Sequence, residues 1–314
     1  MIPAVRPIAL SDIEAARERI KGTVLRTPLV RLNDRIWLKL ENLQPTNAYK
    51  IRGAANAVAS LSDEERAKGV WTISAGNAGQ GVAYAARQFG IPSTVVAIET
   101  APQTKLERMR ALGATIVPVS YQDAWKAAES HSFEGLDGTF IHPFDNHDFI
   151  AGHGTMGLEI LEDLPDVRTV IAAIGGGGLI TGVGSAVKAR KPDVKVLGAE
   201  PETAAPYAYS LANGSPQWFP EWRASFVDGA GGKSVTERMW ERMRPVTDGA
   251  ITVTLDQTRD AMREIAEKSR TIAEGAGALA LAAALTGQAG EGPIVCIVSG
   301  GNIDLAKFAE LVAH

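Results

Sequence analysis

The sequence predicts an α/β protein built on parallel sheets. Three observations carry that prediction. From about Val70 onward, short apolar runs alternate with helix-length segments. Glycine-rich turns stand where a strand hands over to a helix, at SAGNAGQG (74–81) and GGGGLITG (175–182). A third turn, SGGN (299–302), follows the apolar run PIVCIVS. Strands joined by crossover helices pair in parallel and are covered on both faces.

The elements follow in order. Ser11, with Glu14 three residues on, predicts a capping box opening a helix through Ile20. Residues 35–40 (RIWLKL) alternate as a strand, and a helix begins at Ala54. Strands are then expected at 70–74, 93–98, 115–119 and 139–142, with helices at 79–89, 105–112 and 121–132. The segment PFDNHDFIAGHGT (143–155) reads as a polar connector before a helix at 156–161. A strand at 169–174, a helix at 179–190 and a strand at 195–200 follow. Residues 205–232 are irregular, rich in Pro, Trp and Gly. The Arg238–Arg244 cluster alternates with acids and reads as a solvated helix face. Helices at 255–268 and 276–286, a strand at 293–299 and a helix at 304–312 complete the chain.

Composition limits the function. A chain of 314 residues holds one large domain or two modest ones. Its net charge of −4 gives no footprint for nucleic acid or an anionic membrane. The single cysteine, Cys296, excludes an intramolecular disulfide and reads as a buried strand thiol. The start lacks the apolar region of a signal peptide, and no run is long enough to span a membrane, so a cytoplasmic protein is expected.

Four segments carry chemistry. Lys50 lies in ENLQPTNAYKIRGA (41–54). A lysine amine flanked by an aromatic and small residues is placed to form an imine, which requires partial desolvation. In Gly175–Gly178, followed by Leu179, the glycines let a backbone approach a ligand and turn its amides inward. The helix behind adds partial positive charge, which makes a phosphate cradle. Glu200 lies where the acid of a dinucleotide fold would stand, so a dinucleotide site stays open on the residues alone, although no strict G-x-G-x-x-G is present. Ser74, Ala75, Gly76 and Asn77 offer amides to a second anion. Ser299 is expected at the carboxyl end of a sheet, where ligands of such folds bind. His142, His147 and His153 lack metal-ligand spacing and read as connector polarity.

Taken in order, these segments resemble the fold-type II pyridoxal-phosphate enzymes, specifically the serine/threonine dehydratase and serine racemase group, over about residues 13–303. That resemblance implies the tryptophan synthase beta-like fold, with two three-layer parallel-sheet domains. The large cofactor-binding domain would be 1–67 plus 149–314, and 68–148 a small mobile one. It implies pyridoxal 5′-phosphate on Lys50 as a Schiff base, and an ammonia-lyase that turns a β-hydroxy amino acid into a 2-keto acid and ammonia. Gly175–Gly178 and Leu179 would hold the phosphate, Asn77 the ring 3′-oxygen and Ser299 the ring nitrogen. Tyr49 and Glu274 would lie at the cofactor, and Ser74–Ala78 would receive the substrate. A homodimer is the family's usual state, and β-replacement of the cysteine-synthase type shares the lysine and the fold.

The departures from the family pattern carry expectations of their own. Asn47 stands where glycine is usual and is expected to adopt its left-handed backbone. Ala75 replaces a racemase serine, which argues against racemisation. Ala78 replaces a histidine, which is expected to enlarge the substrate pocket for a bulkier, phenylserine-like substrate. Pro206 stands near the second acid of the family's cation site beside Glu200, so no metal is expected. Nothing after Ile303 resembles a regulatory domain, so feedback control is not expected.

Overall fold

A computed structural model describes residues 3–313. It holds two sheets, and every strand pair but one is parallel. In chain order the elements are α1 (Leu10–Arg19), β1 (Leu29–Arg31), β2 (Ile36–Leu40), α2 (Lys50–Ala59), α3 (Asp63–Lys68), β3 (Val70–Ile73), α4 (Asn77–Gln88) and β4 (Ser93–Ile98). Next come α5 (Gln103–Ala111), β5 (Thr115–Val119), α6 (Tyr121–Ser130), β6 (Thr139–Phe140), α7 (His147–Asp163), β7 (Thr169–Ala173), α8 (Gly178–Arg190) and β8 (Lys195–Pro201). The last are α9 (Pro206–Asn213), α10 (Glu237–Met243), β9 (Gly249–Val253), α11 (Leu255–Ser269), α12 (Gly275–Leu285), β10 (Ile294–Val298) and α13 (Leu305–Val312).

The larger sheet runs β1-β2-β10-β7-β8-β9 and the smaller β5-β4-β3-β6. The antiparallel exception is the edge strand β1 against β2. All five residues of β7 and of β10 are buried, as strands covered on both faces must be. Alternate residues feed two cores. Ile171, Ala173 and Cys296 pack with α11 and α12, while Val170, Ala172, Val295 and Ile297 pack with α1, α7 and α8. Cys296 is wholly buried, and burial pushes its thiol up.

Several sequence expectations are corrected. Ser11 is not the cap of α1: the helix starts at Leu10, and Ala9 precedes it without a side-chain cap. Ile8 and Ile13 share one buried cluster, and that hydrophobic staple sets the start. Helix α2 begins at Lys50 rather than Ala54. The supposed connector is largely helix α7, capped by the Asn146 side chain on Phe149 N at 2.9 Å. Its glycines look like loop residues but serve close packing: a Cβ at Gly152 would lie 2.4 Å from Arg52 O. Residues 206–213 of the irregular segment form α9, with proline in its first turn. The Arg238–Arg244 face is not simply solvated, since Arg242 is buried and both Arg238 and Arg242 pair with Asp145.

Candidate active site

The carboxyl ends of three strands build the site. β3 leads into Ser74–Gly76 and α4, β7 leads through Ile174 into the glycine loop and α8, and β10 leads into Ser299. The SGGN turn is the hub. Tyr49 N donates to Ser299 O at 3.0 Å, Gly301 N to Asn47 O at 2.9 Å and Glu274 N to Gly300 O at 3.0 Å. Ala48 bridges Gly300. These bonds fix the segment before Lys50 against the end of β10. Asn47 takes a φ of 54°, the left-handed turn expected of it.

Lys50 is the first residue of α2 and is half-buried. Its Nζ donates to Pro143 O at 2.7 Å and lies 5.2 Å from the Tyr49 ring centre and 5.5 Å from that of Phe149. No carboxylate among the described residues pairs with it. Burial lowers its pKa to about 7, so a large share of the amine is neutral near neutral pH. Helix α4 closes on it through Gly81, where a Cβ would lie 3.2 Å from the Lys50 carbonyl carbon.

Gly175–Gly178 form a tight cradle. A Cβ at Gly176 would lie 2.2 Å from Phe144 Cγ, and one at Gly177 would lie 2.4 Å from Met243 Sδ. Gly177 also takes a φ of 89°, a conformation that glycine adopts at no steric cost. Among the described residues, no protein acceptor takes a bond from the amides of Gly175, Gly176 or Gly177. Leu179 is buried in the first turn of α8 and anchors it. Free amides at a helix N-terminus suit a phosphate. With Lys50, they make a set that fits pyridoxal phosphate.

The remaining expected residues fall around this set. Asn77 Nδ2 donates to Glu274 Oε1 at 2.7 Å. Burial, and then Asp228, raise the Glu274 pKa to about 7. Ser299 Oγ is buried and reaches only Ala276 O, at 3.4 Å, a weak bond that leaves the hydroxyl free to turn. Ser74 Oγ accepts from Gly76 N at 3.1 Å, and Ser74 and Ala75 line a cavity of about 570 Å³. Ala78 does not line that cavity; it is buried among Ala54, Val58 and Val82 between α2 and α4. The pocket enlargement expected from Ala78 therefore has no support in its position.

Sequence reasoning missed Asn302, Arg108 and the 142–145 wall. Asn302 Nδ2 donates to Asn77 Oδ1 and to Thr46 O, both at 2.8 Å, and Arg108 Nη1 donates to Asn302 Oδ1 at 3.1 Å. The last residue of SGGN was its only signal. His142 is buried and lines the cavity. Its Nδ1 accepts from Asp145 N at 2.9 Å, and burial lowers its pKa to about 3. His153 packs edge-on to Tyr49 with ring centres 4.7 Å apart, and His147 pairs with Asp12 at 2.9 Å. None of the three histidines acts as connector polarity. Glu200 is buried and accepts from Tyr207 N at 2.9 Å and Ala208 N at 2.7 Å, at the start of α9.

A parallel α/β scaffold with a desolvated lysine, joined through Pro143 and Phe144 to a glycine turn with free amides, fits a cofactor-dependent enzyme. The chain belongs to the pyridoxal-phosphate dependent enzyme family, whose model matches residues 20–300. It is 41% identical over 315 residues to an L-threonine ammonia-lyase of Thermotoga maritima, covering 97% of this chain and 78% of the relative. A catabolic L-threonine dehydratase of Staphylococcus aureus is 36% identical over 325 residues, covering 98% of this chain and 92% of the relative. Maize serine racemase superposes with a TM-score of 0.90 at 34% identity, covering 97% of each chain. Threonine deaminase isoform 2 of Solanum lycopersicum gives 0.85 at 31% identity, covering all of this chain and 96% of the other.

Proposed function

We propose that this enzyme is an ammonia-lyase that converts a β-hydroxy amino acid of the serine or threonine type into a 2-keto acid and ammonia. The observation that carries the reading is the Lys50 amine: half-buried, without a carboxylate partner and held by a single carbonyl. Relatives named as ammonia-lyase and dehydratase at 41% and 36% identity support elimination over β-replacement.

Pyridoxal phosphate, when bound, supplies the electron sink that makes the Cα–H bond breakable and lets the β-hydroxyl leave. Lys50 would carry it and, once the substrate amine has taken its place, would receive the α-proton at Nζ. The low pKa suits that task, because an amine near pH 7 both accepts and returns a proton. Gly175–Gly178 and Leu179 would hold the phosphate through the amides that begin α8. The substrate carboxylate would dock on Ser74–Asn77, at the start of α4. Asn77, held between Glu274 and Asn302, would present its amide to the ring 3′-oxygen. Ser299 would turn its hydroxyl toward the ring nitrogen, and Tyr49 would wall the site beside Lys50.

Residues 68–148, which contain the smaller sheet, would move as a unit against 1–67 plus 149–314 and exclude water on closing. A cytoplasmic homodimer belongs to this reading; among the described residues no helix is long and apolar enough to cross a membrane. The test is release of keto acid from L- and D-serine, L- and D-threonine, 3-hydroxyaspartate and phenylserine. Release from any member supports the assignment. Silence across the panel from enzyme that carries its cofactor refutes it.

A further inference from the structure

We propose that the preferred substrate carries a bulky apolar group of aryl type on its β-carbon, and that Trp125 selects it. The inference rests on the ammonia-lyase reading and names its substrate class.

The 570 Å³ cavity starts at Ser74, Ala75 and Pro143, beside the lysine's carbonyl partner, and runs out to Ile73, Val96 and Ile98 at the ends of β3 and β4. Helix α6 forms its outer wall through Ala124, Trp125 and Ala128. Its size falls in the range of about 300–1,000 Å³ that holds drug-sized ligands, which is far more room than the methyl group of threonine needs. A second cavity, of about 430 Å³, lies on the Gly175–Gly176 side. Tyr121, Trp125 and Phe144 line both. A substituent leaving the reacting carbon, between the carboxylate loop and the phosphate cradle, is therefore confined beside these three rings.

The charges on the cavity wall are already committed. Arg238 Nε donates to Asp145 Oδ2 at 2.5 Å, and Arg238 Nη1 donates to Pro3 O at 2.9 Å. Glu129 Oε1 accepts from Trp125 Nε1 at 2.8 Å. His142 spends Nδ1 on the backbone of Asp145. None of these groups on the first cavity offers a free cation, and Lys233, on the second, lies over the Trp222 and Tyr121 rings at 4.3 and 5.6 Å, so a hydroxyaspartate-type substrate would strand its charge in the first cavity. An apolar ring meets Ile73, Val96, Ile98 and the face of Trp125 instead. Trp125 is 44% exposed and stacks at 15° on Tyr121 with ring centres 6.4 Å apart, so it lines the cavity from the surface rather than from the core.

The holoenzyme is assayed for keto acid and ammonia with L-threonine and L-threo-phenylserine. We expect kcat/KM for phenylserine at least tenfold above that for threonine, in line with about 10- to 200-fold discrimination per methylene in an apolar pocket. Trp125→Ala should lower that ratio about tenfold or more, mainly through KM. An independent readout is tryptophan emission on adding L-phenylalanine, which has no β-hydroxyl to expel. The response should be seen in the wild type and lost in Trp125→Phe. Preference for threonine or serine, with phenylserine inert, overturns the proposal, as does a ratio unmoved in Trp125→Ala. Silence with every β-hydroxy amino acid overturns the ammonia-lyase reading itself.

Discussion

The ring of Phe144 lies directly on the backbone of Gly176, so close that a Cβ there would stand 2.2 Å from its Cγ. The residue before Phe144 is Pro143, whose carbonyl holds the Lys50 amine. One short segment thus joins the lysine to the Gly175–Gly178 turn proposed to hold the phosphate. Gly176→Ala should push the ring away and cost about 1–3 kcal/mol, as overpacking does. Cofactor titration by absorbance should show weaker retention. Adding Phe144→Ala to the same chain should recover part of the loss, and a strictly additive double variant would refute the coupling.

Lys50→Ala should remove borohydride-trappable cofactor and lower turnover at least about a hundredfold, the lower range for a lost acid–base group. In the apoenzyme, acylation of Lys50 followed against pH should have a midpoint near 7. A midpoint near the ordinary lysine value would show that burial does not tune this amine.

The Glu274 carboxyl makes stability depend on pH. Its folded pKa, about 7, is raised above the ordinary 4.5, first by burial and then by Asp228. Between those values the unfolded chain releases a proton that the folded chain keeps. Stability should therefore fall as pH rises from 4.5 to 7, and this contribution should then level off. Glu274→Gln keeps an acceptor for Asn77 and removes the titration. Urea midpoints of wild type and variant should diverge across that window alone.

Arg52 is wholly buried between two acids. Its Nε donates to Glu41 Oε2 at 2.8 Å and its Nη1 to Glu159 Oε1 at 2.7 Å, while Lys39 Nζ lies 2.6 Å from Glu159. Burial opposes its charge, but the two carboxylates hold the guanidinium above its usual range. Arg52→Ala leaves Glu41 without its ion-pair partner and should cost about 3–5 kcal/mol in urea unfolding. A loss under about 1 kcal/mol would mean that water enters and solvates the acids.

Local rules predicted much of the fold. The strands β3, β4, β5, β7, β8 and β10 were legible because short apolar runs between glycine turns have few alternatives. The first half of helix α7, before the helix expected at 156–161, was not, because Gly152 and Gly154 favour loops locally and are helical here only because α2, α1 and α8 press against them. Strand β9 escaped notice for a related reason: it is short and is set by its pairing with β8.

The sequence by itself determined the chemistry. Lys50, the four glycines from Gly175, and the turns that begin α4 and end β10 are backbone and amine requirements, and each can be met by neighbours within a few residues. Tertiary structure decided what surrounds that chemistry. Asn302 reaches Asn77 across 225 positions, and Pro143 reaches Lys50 across 93. Ala78 turned inward to the α2–α4 core, while Trp125, silent in sequence, turned toward the cavity. The direction of a side chain depends on which elements pack beside it, and that packing is fixed only when the whole chain has folded.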